Sequence, residues 1–205
     1  MDFQLIETMR ISGDEVYLLD RHLERLRRSA AYFSFNCDLE IIRETILQAI
    51  PRGNHSAGLR LTLAKDGEAK VQCLALPAGY VQRLKLSTVR VDSKDLFLYH
   101  KTAMRGIYDR AREECDAETD AILINERNEI TETPIMNIAV LRDGGWITPA
   151  VTCGLLPGVM REELLARGEI AEGVIRVDDI RDGEHVRCFN ALRGDFRVVV
   201  TARLT

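Results

Sequence analysis

The chain has 205 residues, of which 46% are hydrophobic, and its formal net charge at pH 7 is −4. This length is sufficient for one large or two small domains with a real core. The weak negative charge gives no support to nucleic acid or an anionic membrane surface as a partner. The N-terminus lacks the basic and apolar regions of a signal peptide, and no apolar run is long enough to span a membrane.

The five cysteines and four histidines are scattered along the chain and show no metal-ligand spacing. A disulfide framework or a structural metal site would show paired and more regular spacings. We therefore expect free thiols in a reducing cytoplasm and no metal site.

The first half of the chain alternates apolar strands with amphipathic helices, which predicts an α+β domain. Strands are expected at residues 3–11, 16–19, 58–64, 69–76 and 84–91. Helices are expected at residues 22–33 and 38–50. Asp20 is placed to cap the first helix, and a turn at residues 51–54 ends the second.

Loop residues at 77–79 and polar residues at 92–95 indicate a crossover into a second half. We expect a small α+β domain at residues 1–85, a linker at residues 86–95 and a larger domain at residues 96–205. In the larger domain, helices are expected at residues 102–114 and 158–166. Strands are expected at residues 121–125, 137–141, 146–147, 169–177, 186–189 and 196–202.

The helix at residues 22–33 is strongly basic. Arg21, Arg27 and Arg28 are typical of a solvated face. Arg25 lies beside the apolar stripe that begins at Leu23, so it is placed to reach inward.

The stretch from 121 to 161 combines a buried strand, a carboxylate and a glycine-led helix. Glu132 lies among small polar residues, where a carboxylate is most often simply solvated. Gly158 stands at the mouth of a helix, which leaves backbone N–H groups available for a phosphate. Each feature alone is also typical of an ordinary turn or helix start.

Lys101 follows an apolar, aromatic run and precedes a predicted helix. A lone lysine in such a place usually extends its amine into solvent. From its surroundings alone, Lys101 is therefore not marked as catalytic.

The order of these pieces resembles the class IV aminotransferase family, also called fold type IV pyridoxal-phosphate (PLP) enzymes. The segment "L-L-D-R-H-L-E-R-L-R-R-S-A" is similar to a family helix that carries an arginine. The segment "H-K-T-x-x-R-x-x-Y-D" is similar to the aminodeoxychorismate lyase branch. The remaining matching residues are Glu132, Asn137, Thr148, Pro149, Gly154, Gly158, Val159, Met160 and Arg161.

The resemblance implies a two-domain fold with a larger, barrel-like domain, and an active site between the domains of a homodimer. It implies that Lys101 binds the cofactor aldehyde and acts as the base, with its amine partly desolvated and therefore neutral. Glu132 would keep a proton on the pyridine nitrogen. The phosphate would be held by Arg25 and the amides of Val159 and Met160.

Weaker assignments follow from the same resemblance. Asn137 and Asn190 are expected at the cofactor, although Asn190 before Arg193 is also typical of a turn. Arg105, Arg10 and Tyr108 are expected on the substrate side, from their charge and position alone.

The favoured activity is that of a 4-amino-4-deoxychorismate lyase of folate biosynthesis, which releases pyruvate and gives 4-aminobenzoate. A branched-chain or D-amino-acid aminotransferase would use the same lysine and glutamate, and a PLP-binding homologue without turnover is a third alternative. Family members usually carry a strand and loop ahead of Phe3. Because that loop contributes to the substrate side of the pocket, its absence leaves the substrate less certain than the cofactor.

Overall fold

The structure, a computed structural model, describes residues 3–51, 56–79 and 81–201. The chain forms two compact units. The first unit contains Met1–Ala78, His100–Met104 and Ala191–Arg193. The second unit contains Gly79–Tyr99, Arg105–Asn190 and Gly194–Thr205. Among the described residues, no helix is both long and apolar enough to cross a membrane.

The first unit is an antiparallel sheet with two helices on one face. Its strands are β1 (Leu5–Ser12), β2 (Glu15–Val16), β3 (Ala57–Leu63) and β4 (Ala69–Leu74), in the order β2-β1-β3-β4. Its helices are α1 (Leu19–Phe33) and α2 (Leu39–Gln48).

Side-chain alternation gives the central strands of this sheet two distinct faces. On one face, Leu5, Met9 and Ile11 of β1 pack with apolar residues of β3, α1 and α2 in a buried core. On the other face, β1 presents Thr8 and Arg10, both half-buried. The strands predicted at 3–11, 58–64 and 69–76 and the two amphipathic helices of this half are therefore confirmed.

A short segment of the first unit extends the sheet along the free edge of β1. The Ile6 N–H donates to the Lys101 carbonyl at 2.9 Å, and the Ala103 N–H donates to the Gln4 carbonyl at 2.9 Å. Thr102 forms an antiparallel bridge with Leu5. The predicted start of a helix at residue 102 is therefore wrong, because this segment is extended, and α3 runs from Gly106 to Glu113.

The second unit is built on a seven-stranded mixed sheet. Its strands are β5 (Arg83–Val91), β6 (Thr119–Asn125), β7 (Asn137–Arg142), β8 (Gly145–Pro149), β9 (Ala171–Gly173), β10 (His185–Asn190) and β11 (Gly194–Val200). The strand order is β6-β5-β11-β10-β7-β8-β9. Helix α3 and helix α4 (Val159–Ala166) complete the unit, with 3₁₀ turns at Leu96–Leu98, Val151–Cys153 and Val177–Asp179.

One extended segment joins the two edges of this sheet. Ile130 bridges Ile124 of the edge strand β6, and its N–H donates to the carbonyl of Ile175, just after the other edge strand β9. The Leu123 N–H of β6 also donates to the Glu132 carbonyl at 2.8 Å. The sheet thereby closes on itself, which confirms the expected barrel-like character and fixes the backbone at Glu132.

Some sequence-based boundaries need correction. Asp20 does not cap α1, because the helix begins at Leu19 and Asp20 lies in its first turn. There Asp20 Oδ1 lies 2.5 Å from Arg43 Nη2 and forms an ion pair with it. The return strand expected at 16–19 is only the short β2, and the strand expected at 169–177 shortens to β9.

Residues 52–54 of the predicted turn and the last residue of the strand predicted at 196–202 lie outside the described residues. Strand β5 occupies much of the stretch expected to be a linker. The division of the chain into domains at residues 85 and 96 stays a prediction.

Candidate functional site

In the first unit, a buried carboxylate holds two basic side chains. Arg25 donates to Glu7 twice, from Nε to Oε1 at 2.8 Å and from Nη2 to Oε2 at 2.6 Å. His22 Nδ1 lies 2.7 Å from the same Oε2. Helical spacing brings His22 and Arg25 to one face of α1, and strand alternation points Glu7 to the same core. Arg25 therefore does reach inward.

The charges of this cluster depend on one another. Burial opposes ionisation of Glu7, but Arg25 and then His22 outweigh it and lower the pKa of Glu7 from 4.5 to about 2. Burial lowers the pKa of His22, so the imidazole is neutral and donates from Nδ1 to the ionised Glu7. His22 Nε2 is buried and has no hydrogen-bond partner in the part of the chain that the structure describes.

Lys101 is fixed to the edge of β1 through its backbone. The bridge between Leu5 and Thr102 places Lys101 directly opposite Ile6. Directly opposed residues of an antiparallel pair project to the same face, so Lys101 shares the face of Ile6, Thr8 and Arg10. The charge of Lys101 also contributes to the lowered pKa of His22, after the effects of burial and Arg25.

In the second unit, Glu132 is a buried carboxylate that accepts hydrogen bonds from Tyr108, Leu156 and Asn137. Its Oε1 accepts from the Tyr108 hydroxyl at 2.8 Å and from the Leu156 N–H at 3.0 Å. Its Oε2 accepts from Asn137 Nδ2 at 3.1 Å. Three donors directed at one carboxylate suit its ionised form, which only accepts hydrogen bonds.

Asn137 connects Glu132 to the start of α4. Its Nδ2 also donates to the Leu156 carbonyl at 2.9 Å. Its Oδ1 lies so close to Gly158 that a Cβ built on this glycine would come within 2.0 Å. Gly158 is therefore required by a close approach, and Asn137 sets the distance between the carboxylate and the helix.

The helix that begins at Val159 has no side-chain cap. Gly158 occupies the N-cap position and makes no side-chain hydrogen bond there. Among the described residues no side chain caps this helix, and an uncapped helix start is a common anion-binding position. Asn190, at the end of β10, donates to the Ile135 carbonyl at 2.9 Å.

Of the expected substrate residues, Tyr108 contacts Glu132, and Arg105 lies against Tyr108. Arg105 lies with its guanidinium carbon 4.8 Å from the centroid of the Tyr108 ring, and its Nη2 donates to the Pro134 carbonyl at 2.6 Å. Tyr108 is buried, and its hydroxyl is engaged by Glu132. Their roles toward a substrate stay predictions.

Sequence reasoning missed three groups that build these clusters. Glu7 occupies a core-facing position between Leu5 and Met9, and a charge there is a signal of a buried ion pair. His22 precedes Arg25 by one helical turn, which signals a shared face. The third group is the backbone N–H of Leu156, for which no side-chain signal exists.

The fold is that of the fold type IV PLP enzymes, with a helix-backed antiparallel sheet in one unit and a closed mixed sheet in the other. Residues 4–200 match the family model described as "Amino-transferase class IV", and the chain belongs to this family. Its members are enzymes that depend on PLP, so the expected family, enzyme class and cofactor are confirmed.

The names of individual relatives state different activities. A "Putative aminodeoxychorismate lyase" of Schizosaccharomyces pombe is 33% identical over 92% of this chain and 86% of its own length. A crystal structure of a "Putative amino-acid aminotransferase" from Mesorhizobium loti is 38% identical, with a TM-score of 0.90 over 98% of this chain and 100% of that one. The 4-amino-4-deoxychorismate lyase structure from Pseudomonas aeruginosa is 22% identical with a TM-score of 0.82, over 98% of this chain and 83% of that one, and shares the fold.

Proposed function

We propose that the protein is a PLP-dependent 4-amino-4-deoxychorismate lyase, which releases pyruvate and forms 4-aminobenzoate for folate biosynthesis. The observation that carries the proposal is the cationic face on which Lys101 lies. Arg10 of β1 and Arg60 of β3 share this face, are half-buried, and have no ion-pair partner among the described residues. Such a face suits a substrate with two carboxylates.

The strand register sets the distances between the basic residues on this face. Lys101 lies opposite Ile6, and Arg60 lies opposite Thr8, two residues further along β1. At the rise of an extended strand, these rows are about 7 Å apart, and Arg10 is about 7 Å further along. Arg60 is therefore one row from Lys101 and Arg10 is two rows away, both on the face that Lys101 shares.

The residues present fit the family cofactor. Glu132 is a buried acceptor that suits a ring N–H, and the start of α4, with no side-chain cap, suits a phosphate. Arg25 would add a guanidinium to the phosphate site, and Asn137 and Asn190 would line the cofactor site. Lys101 supplies the primary amine. When bound, the cofactor supplies an electrophilic aldehyde and a ring that takes up electrons.

Residues of this chain would then carry out the proton transfers of the reaction. Lys101 Nζ takes the proton from the ring carbon that bears the substrate amine. The electron pair of that C–H bond forms a ring double bond as the carbon–oxygen bond to the enolpyruvyl group breaks. Lys101 Nζ then gives a proton to the methylene carbon of the departing enolpyruvate, which becomes pyruvate. The remaining ring is aromatic, which makes the step favourable.

A second candidate is an aminotransferase for branched-chain or D-amino acids. It is favoured by the 38% identity with the Mesorhizobium loti protein over that protein's whole length. Lys101 would then return the proton to a different carbon, and no pyruvate would leave the substrate. The family resemblance also leads us to propose a homodimer in the cytoplasm, and size-exclusion chromatography with light scattering tests the dimer.

The deciding experiment compares wild-type protein with Lys101→Ala, and with Lys94→Ala as an exposed control. After PLP is added, wild type and the control should show a visible absorbance band that Lys101→Ala lacks. Aminodeoxychorismate should then give pyruvate and 4-aminobenzoate. Keto acid formation from an amino donor, without these products, would favour the aminotransferase. A band with no turnover on any amino donor would favour a binding homologue, and wild type with no band would overturn the cofactor assignment.

A further inference from the structure

Tyr108 couples helix α3 to the carboxylate of Glu132. Its hydroxyl donates to Glu132 Oε1 at 2.8 Å, and only 7% of the residue is exposed. The two residues are 24 positions apart in the chain, and the contact joins two separate elements of the second unit. A hydrogen bond from a hydroxyl to an ionised carboxylate is among the stronger ones in proteins.

The tyrosine ring is itself held in place. The guanidinium of Arg105 lies over the ring face at 4.8 Å, while Arg105 is tied to the Pro134 carbonyl. The cation attracts the electron-rich face of the ring, and the hydroxyl points to the anion. Burial, and then the charge and hydrogen bond of Glu132, raise the pKa of Tyr108 well above its usual value. Tyr108 therefore stays protonated and donates throughout the neutral range.

The donors to Glu132 are not equivalent. Asn137, at the start of β7, and the Leu156 N–H, just before α4, are amide donors. Tyr108 is the hydroxyl donor, and it approaches from a different element. If the Tyr108 hydroxyl is removed, the carboxylate keeps both amide donors, but it becomes more basic and Oε1 loses the bond from Tyr108.

We propose that Tyr108 is a positioning residue that keeps Glu132 ionised and directed at the ring nitrogen of PLP. The proposal rests on the cofactor assignment of the proposed function. A carboxylate stabilised by Tyr108 competes weakly for the proton that it shares with the ring nitrogen, so that proton stays on the ring. Tyr108→Phe makes Glu132 the stronger base, and the ring then loses its positive charge.

The test uses two ligands, PLP and an analogue in which carbon replaces the ring nitrogen. Dissociation constants are measured for wild type, Tyr108→Phe and Tyr99→Phe. Tyr99 is the matched control, since its hydroxyl donates to the Ser93 carbonyl at 2.5 Å. Loss of a hydrogen bond to a charged group should weaken PLP binding to Tyr108→Phe about tenfold. Binding of the analogue should not change, and Tyr99→Phe should bind both ligands as wild type does.

A double-mutant cycle with Glu132→Gln gives an independent measurement. In the Glu132→Gln background, Tyr108→Phe should cause no further loss of PLP affinity. Equal weakening of both ligands in Tyr108→Phe would show a merely structural role and overturn the proposal. Wild type that binds both ligands equally would also overturn it, because Glu132 would then not recognise the ring nitrogen. Failure of the lyase reaction leaves these binding constants unchanged, so the two failures are distinguishable.

Discussion

At the scale of single residues, the first unit stabilises Arg25 with an internal counter-charge. Glu7 receives both sides of the guanidinium fork and the imidazole of neutral His22. The buried cluster of Glu7, Arg25 and His22 therefore carries no net charge, which limits the cost of burying the arginine. The orientation of Arg25 is fixed before any ligand arrives.

This cluster predicts a specific sensitivity to acid. The pKa of Glu7 is about 2 in the folded protein, against 4.5 for the ordinary group, so ionised Glu7 stabilises the fold above about pH 4.5. This contribution, about 3 kcal/mol, is lost as the pH falls from about 4.5 to about 2. Glu7→Gln should have a lower free energy of unfolding near neutral pH and lack this part of the acid dependence. Urea unfolding at a series of pH values measures both effects.

The control for this prediction is Glu44→Gln, which changes an exposed glutamate of α2. It should keep the wild-type acid profile. His22, whose pKa is lowered mainly by burial, adds a separate loss of stability that begins below about pH 6.5. An acid profile of Glu7→Gln that matched wild type below about pH 4.5 would contradict the assignment.

At the scale of elements, the start of α4 and the side chain of Asn137 form one packed joint. A methyl group on Gly158 would lie 2.0 Å from Asn137 Oδ1, far inside contact distance. Asn137 cannot withdraw without losing its bonds to Glu132 and to the Leu156 carbonyl. The joint therefore connects the helix start to the carboxylate.

Gly158→Ala should destabilise the protein by about 1–3 kcal/mol, because the added methyl overpacks this joint. It should also weaken PLP binding, since it displaces the proposed phosphate site. Gly106→Ala is the matched control, at the start of α3, where an added Cβ would meet nothing within 4 Å. Thermal unfolding and PLP titration measure both effects, and equal behaviour of the two variants would count against the joint.

Local patterns predicted much of the fold, whereas the site residues came from the family resemblance and their roles stay predictions. Alternation and helical spacing depend only on neighbouring residues, so β1, α1 and α2 were found with small boundary errors. The start of α3 was misplaced because residues 101–103 are extended by pairing with β1, a contact that is distant in sequence. The bond between Tyr108 and Glu132, and that between Arg25 and Glu7, likewise need the tertiary structure.

At the scale of the whole molecule, the chain passes between the two units several times. Residues His100–Met104 and Ala191–Arg193 belong to the first unit although most of that unit precedes residue 79. The first segment pairs with β1, and the second brings a Leu192 methyl against Gly58. The first 78 residues are therefore an incomplete folding unit.

A fragment of residues 1–78 should consequently show a weakly protected edge of β1. In this fragment the Ile6 amide lacks its acceptor, the Lys101 carbonyl, and should exchange its hydrogen quickly. Joining residues 100–104 to the fragment through a flexible glycine–serine linker should slow that exchange. A reversed 100–104 segment is the control, and equally slow exchange in all three fragments would refute the role of the added segment.

Strand β1 carries two interleaved sets of residues, one facing the helices and one facing away. Leu5, Glu7 and Met9 are constrained by the interior, whereas Thr8 and Arg10 lie outside the buried core. Evolution can therefore diversify the outward set without redesigning the interior, which offers a route by which one scaffold acquires new substrate preferences. A single inserted residue would exchange the two sets and disrupt both, so divergence along this strand should proceed by substitution and not by insertion.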